Sequence, residues 1–153
     1  MKKISLLIGL LSISIFSNPK DQPNFVIIYV DDMGYADIGE FQDEKISTPN
    51  LDLMASNGQT WTNFYASSSV CTPSRAGLLT GILPVRNGLY GDQIAVFFPG
   101  SKTGIPKNQL TLAEVFQTNG YSTGIFGKWH LGDAKEFLPT RHGFDEYLSL
   151  IHI

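Results

Sequence analysis

Apolar and polar positions follow two rhythms along this chain. Phe25 to Val30 (FVIIYV) is an unbroken apolar run of β-branched and aromatic residues. Such a run predicts a strand buried on both faces, as in a parallel sheet. Asp31-Asp32-Met33-Gly34 ends it. Thr48-Pro49 then gives an N-cap with proline in the first turn. The helix that follows carries Leu51, Met54 and Ala55 on one face and stops at Gly58. Gln59 to Tyr65 alternates poorly but is rich in strand formers, and predicts a second strand. The next helix is predicted from Pro73 to Gly81, with Ala76, Leu79 and Thr80 on one side. Residues 82–109, rich in glycine and proline, predict irregular loop. Thr111 with Glu114 forms a capping-box pattern opening a helix with Leu112, Val115 and Phe116, stopped by Asn119-Gly120. Tyr121 to Gly127 predicts another strand. Strands alternating with helices specify an α/β fold with a mostly parallel sheet flanked by helices. In such sheets ligands bind beyond the carboxyl ends of the strands. Asp31-Asp32 and Lys128-Trp129-His130 each follow a predicted strand at once, so the topology points both clusters toward one site.

The first residues depart from this pattern. Lys2 and Lys3 precede an apolar run from Ile4 to Phe16, and Ser17 offers a small residue for cleavage. This is the pattern of a signal peptide over residues 1–17. The run is short for a membrane span and polar Asn18-Pro19-Lys20-Asp21 follows it, which disfavours the alternative of an uncleaved anchor. The expected localisation is secreted or periplasmic, and residues 18–153 are expected to be part of one domain, with no internal boundary. At 153 residues, 42% hydrophobic and 16% charged, the chain is long enough for a real core. The net charge of −3 argues against nucleic acid or an anionic membrane surface as the main partner. Only one cysteine, Cys71, is present. A lone thiol in an oxidising compartment is a liability unless it is buried, paired elsewhere or chemically used.

Two clusters could carry chemistry. Asp31 and Asp32 are adjacent carboxylates, and two like charges in a partly dry pocket repel unless a cation sits between them. Hard oxygen donors suit Ca²⁺ or Mg²⁺, although an Asp-Asp pair taken alone is more often a solvated turn. Cys71-Thr72-Pro73-Ser74-Arg75 is more specific. Proline in a first turn puts Cys71 at or just before a helix N-terminus, where free N–H groups and the helix dipole favour an anion. Arg75 can add a bidentate donor for an oxyanion. The bland alternative is a small buried residue before a helix, with Arg75 as a surface cation.

Cys71 to Gly81 (CTPSRAGLLTG) resembles the sulfatase signature, C-x-P-S-R followed by a small-apolar helix ending in T-G. Gly127 to Gly132 (GKWHLG) resembles the second signature of the same family, Phe25 to Gly34 its metal-binding strand, and His142-Gly143-Phe144-Asp145 is also similar. The motifs run in the expected order from about Asn24 to Asp145, most like the arylsulfatase A and N-acetylgalactosamine-6-sulfatase branch. The resemblance implies an alkaline-phosphatase-like sulfatase fold and a sulfuric ester hydrolase acting on a sulfated glycan or aryl sulfate. Its nucleophile would be Cys71, oxidised to formylglycine by a formylglycine-generating or sulfatase-maturating enzyme. Asp31, Asp32 and the modified Cys71 would bind Ca²⁺. The hydrated aldehyde would attack sulfur through one hydroxyl and release the alcohol; loss of a proton from the other would expel sulfate and reform the aldehyde. Arg75 would stabilise the ionised hydrate, Lys128 would bridge sulfate and the formylglycine oxygens, and His130 would act as base. Lys128 and His130 lie two apart, which on an extended segment places them on one face.

A phosphatase or phosphodiesterase of the same superfamily, a Cys–His hydrolase and a non-catalytic sulfate-binding fragment are the rival readings. The first would want a Thr or Ser nucleophile and more metal ligands; Pro73 and the Asp-Asp pair do not help the second. Trp129 is expected to pack, and His142 and His152 are expected to be structural. Sulfatases are several times longer than this chain, so it is expected to be an N-terminal part, inactive alone, and short of calcium ligands.

Overall fold

A computed structural model describes residues 22–39, 46–91 and 96–149. The proposed signal peptide and His152 lie outside them. The chain divides into two compact units, residues 1–33 and 34–153.

In the first unit, residues 22–30 form neither helix nor strand, and every side chain from Phe25 to Val30 is exposed, Val26 by 84%. The predicted doubly buried strand is therefore not formed. An apolar run states a preference for burial, but a strand exists only against a neighbour, and the described part of this unit contains no second segment. The run ends at Asp31-Asp32, with Asp32 in the left-handed region (φ 54°).

The second unit opens with a short 3₁₀ turn, Tyr35–Asp37. Helix α1 spans Pro49–Asn57, starting at Thr48 with proline in its first turn as expected. Its apolar face is only partly covered, and Met54 is exposed. Gln59 to Tyr65 is not a strand. It turns at Thr62-Asn63 and leaves Trp61, Phe64 and Tyr65 exposed, consistent with its poor alternation. Helix α2 spans Cys71–Thr80, two residues earlier than Pro73 suggested. Proline lacks an N–H that the first turn does not use, so it sits equally well one or two residues inside a helix. Gly81 closes α2 at φ 66°. Within the stretch expected to be loop lies one further turn of helix, α3, Pro84–Asn87, with proline at its start and Gly88 (φ 79°) as its cap.

Helix α4 spans Leu112–Thr118 and carries the capping box complete: Glu114 N–H donates to Thr111 Oγ1 at 3.2 Å and Thr111 N–H to Glu114 Oε2 at 2.7 Å. Strand β1, Gly124–Phe126, lies inside the predicted Tyr121 to Gly127 strand. It pairs in parallel with β2, Glu146–Leu148, in the register Gly124↔Glu146, Ile125↔Tyr147 and Phe126↔Leu148. The connection between them carries two 3₁₀ turns, Lys135–Phe137 and Pro139–Arg141. The α/β class and the parallel pairing are as expected; among the described residues the sheet has two strands.

Ala76, Leu89, Phe97, Ile105, Trp129 and Leu131 form the core, with Leu79, Ile125, Phe144 and Tyr147 packed against it. Ala76 of α2 and Trp129 beyond β1 share this cluster, so burial of apolar area holds the two signature segments together. Among the described residues no helix is long and apolar enough to cross a membrane.

Candidate active site

Two elements build the site. Helix α2 presents Cys71 as its first residue, after extended Val70. The orphan N–H groups and the positive end of the helix dipole therefore lie at the cysteine. The second element is the turn beyond the carboxyl end of β1. Gly127 takes φ 115°, which leaves the strand at once, and His130 takes φ 59°. The segment is thus bent, and the extended geometry expected to align Lys128 with His130 is absent. Gly132 (φ 114°) closes the turn where the chain crosses within reach of Gly104 Cα and the Phe137 side chain. A side chain at Gly132 would have no room there.

The two elements meet through specific polar contacts. Lys128 Nζ donates to Cys71 Sγ at 3.3 Å. Arg75 Nη1 donates to the Lys128 carbonyl at 2.6 Å, a charge-assisted bond that ties the lysine's backbone to α2. Thr72 Oγ1 donates to the His130 carbonyl at 2.9 Å and accepts the Phe97 N–H at 3.1 Å. His130 Nε2 lies 2.7 Å from the Phe97 carbonyl. A carbonyl only accepts, so this nitrogen carries the ring proton and Nδ1 is the basic nitrogen of the neutral imidazole. Cys71 is half-buried and is not in a disulfide; His130 is buried.

Cys71, Arg75, Lys128 and His130 thus come together around one helix N-terminus. Asp31 and Asp32 belong to the other unit. Thr72 and Phe97 were not singled out by the sequence. The hydroxyl beside Cys71 was a signal available for Thr72, whereas Phe97 contributes only backbone atoms. Trp129 packs as expected, its Nε1 donating to the Phe137 carbonyl at 2.9 Å and its ring lying 6.1 Å from those of both His142 and Phe144. His142 is 1% exposed and structural: Thr111 Oγ1 donates to its carbonyl at 2.7 Å. Burial lowers its pKa below 6.5, as does Lys107, against the opposing pull of Glu114 and of a hydrogen bond that the ring donates to the Glu136 backbone.

No group of three or more His, Cys, Asp or Glu among the described residues could hold a metal ion. The exposed carboxylates of Asp31 and Asp32 have the right chemistry for a hard divalent cation but form only part of a shell.

The sequence profile of the sulfatase family matches residues 23–153. Arylsulfatase A of Bos taurus is 51% identical over 130 residues, which cover 84% of this chain and 25% of that protein. Human N-acetylgalactosamine-6-sulfatase is 42% identical over 137 residues, 87% of this chain and 26% of its own. Among solved structures, Ps i-CgsB in complex with k-i-k-neocarrahexaose superposes with a TM-score of 0.73 at 36% identity, covering 80% of this chain and 27% of that one. The PsFucS1 sulfatase from Pseudoalteromonas sp. superposes at 0.69 and 36% identity, covering 81% and 25%. The chain therefore spans about a quarter of the length of the relatives it matches. With 131 of its 153 residues under one family profile, and both signature segments meeting at Cys71, this chain belongs to the sulfatase family.

Proposed function

We propose that this chain carries the nucleophile end of a sulfuric ester hydrolase that cleaves sulfate from a sulfated carbohydrate or an aryl sulfate. The observation that carries the reading is Lys128 Nζ at 3.3 Å from Cys71 Sγ, at the N-terminus of α2. Sγ occupies the place that an oxygen on the Cys71 Cβ would take once a maturating enzyme has converted the residue to formylglycine. An ammonium, a helix N-terminus and the nearby Arg75 then favour negative charge on that oxygen and on a bound sulfate. His130, protonated on Nε2 against the Phe97 carbonyl, offers Nδ1 as the base. Asp31 and Asp32 would supply two carboxylates of a Ca²⁺ shell, and the ion when bound would supply Lewis-acid chemistry. The arylsulfatase A and N-acetylgalactosamine-6-sulfatase likeness and the carbohydrate held by Ps i-CgsB support the substrate class. Because those relatives are more than three times as long, turnover is assigned to the full-length protein. Residues 1–17 are proposed to direct it to a secreted or periplasmic location and to be removed.

The test begins with co-expression of the chain with a formylglycine-generating enzyme. Cys71 should gain an aldehyde that reacts with a hydrazide, and the full-length protein should hydrolyse an aryl sulfate in a calcium-dependent manner. An unmodified thiol under conditions that fully convert a known sulfatase would overturn the reading.

A further inference from the structure

We propose that Thr72 is the positioning residue of His130, acting through a closed ring of hydrogen bonds with the Phe97 backbone. Three bonds define the ring. The Thr72 hydroxyl donates to the His130 carbonyl at 2.9 Å, the Phe97 N–H donates to that hydroxyl at 3.1 Å, and His130 Nε2 lies 2.7 Å from the Phe97 carbonyl. One side chain thereby grips His130 at both ends, directly at its backbone and through Phe97 at its ring. Thr72 is 0% exposed and His130 6%, so water does not compete for these bonds.

The grip has work to do, because His130 holds a left-handed backbone (φ 59°), a conformation that a residue with a Cβ adopts only at a cost. A buried hydroxyl on the His130 carbonyl helps hold that peptide in place. Fixing Phe97 in turn fixes the acceptor that keeps the proton on Nε2, and so keeps Nδ1 as the basic nitrogen. The Thr72 hydroxyl bonds to the backbone of His130 and of Phe97. The hydroxyl, not the methyl, carries the role.

The proposal rests on the sulfatase reading for its catalytic consequence but not for its structural one, and the experiment separates them. Thr72→Val, isosteric without the hydroxyl, and Thr72→Ser, with the hydroxyl kept, are prepared in the full-length protein. Activity is expressed per aldehyde measured by hydrazide labelling, which removes any difference in maturation. Thr72→Val should lower kcat roughly tenfold to a hundredfold with KM little changed, the signature of a displaced base rather than lost substrate binding. Thr72→Ser should restore most of it. Independently of turnover, ¹⁵N spectra of the His130 ring at a pH where it is neutral should show one Nε2-protonated tautomer in the parent and in Thr72→Ser, and an averaged signal in Thr72→Val. Equal kcat per aldehyde for Thr72→Val and the parent, an unchanged tautomer in Thr72→Val, or a Thr72→Ser variant as impaired as Thr72→Val would each overturn the proposal. A fully aldehyde-bearing parent that hydrolyses no sulfate ester would instead refute the sulfatase reading, leaving the tautomer measurement to decide the role of Thr72.

Discussion

Replacing Thr111 by alanine should be among the most damaging conservative changes in the chain, although Thr111 touches nothing in the site. The residue is fully buried and its hydroxyl serves two segments at once. It caps α4 by accepting the Glu114 N–H at 3.2 Å, and it donates to the His142 carbonyl at 2.7 Å. Loss of an N-cap costs about 1 kcal/mol. Leaving a buried carbonyl without its donor costs about 1–2 kcal/mol more. Removing the methyl adds up to about 1 kcal/mol. Thr111→Ala should therefore destabilise the fold by about 2–4 kcal/mol. The reciprocal bond from the Thr111 N–H to Glu114 Oε2 at 2.7 Å survives the change, which keeps the loss below that of the whole box. Thr111→Ser keeps both hydroxyl bonds and loses only the methyl, so it should cost about 1 kcal/mol. Urea unfolding followed by circular dichroism measures both as midpoint shifts at constant slope. A Thr111→Ala variant within about 0.5 kcal/mol of the parent, the range of an ordinary surface change, would refute this account.

Gly143 takes φ 86° with its Cα side facing the Glu114 backbone too closely for a Cβ; Gly143→Ala should cost about 2–4 kcal/mol in thermal unfolding, from backbone strain plus overpacking. The lowered pKa of His142 means the unfolded chain takes up a proton before the folded one does, so stability should fall as pH drops through the region below 6.5. His142→Gln should flatten that part of the stability–pH curve, and an unchanged slope would show that another group sets it. In the full-length protein, Asp31→Asn and Asp32→Asn should each lower bound calcium and sulfatase activity together while leaving the melting temperature of the calcium-free protein nearly unchanged; normal calcium content in both variants would remove them from the metal shell.

The parts of the fold that were legible in the sequence are those whose causes are local. The Thr111–Glu114 box and the Pro49 start are settled within one turn of helix, and so they appear in the structure where the residues place them. Pro84 with Gly88 carried the same kind of signal for α3, but four residues between glycines and prolines also spell loop. Phe25 to Val30 failed for the opposite reason. Its hydrophobicity records an environment that only partner strands can supply, and periodicity says nothing about where those partners are. In the site, residue types named Cys71, Arg75, Lys128 and His130. The left-handed turn at His130 and the bonds from Thr72 depend on segments distant in sequence, which no local pattern encodes.

That distance has a consequence for how the site forms. The bonds from Lys128 to Cys71, Arg75 to Lys128 and Thr72 to His130 span 57, 53 and 58 residues. Closing a loop of that size costs about 3–4 kcal/mol of chain entropy. The three closures are nearly the same closure, so whichever bond forms first bears that cost and the other two follow almost without further loss. The site therefore assembles in an all-or-none manner. Removing one of the three should weaken it by the bond alone, since the apolar cluster that joins Ala76 to Trp129 also keeps the loop closed, and double-mutant cycles among Thr72, Arg75 and Lys128 should show the coupling of bonds that share one closure.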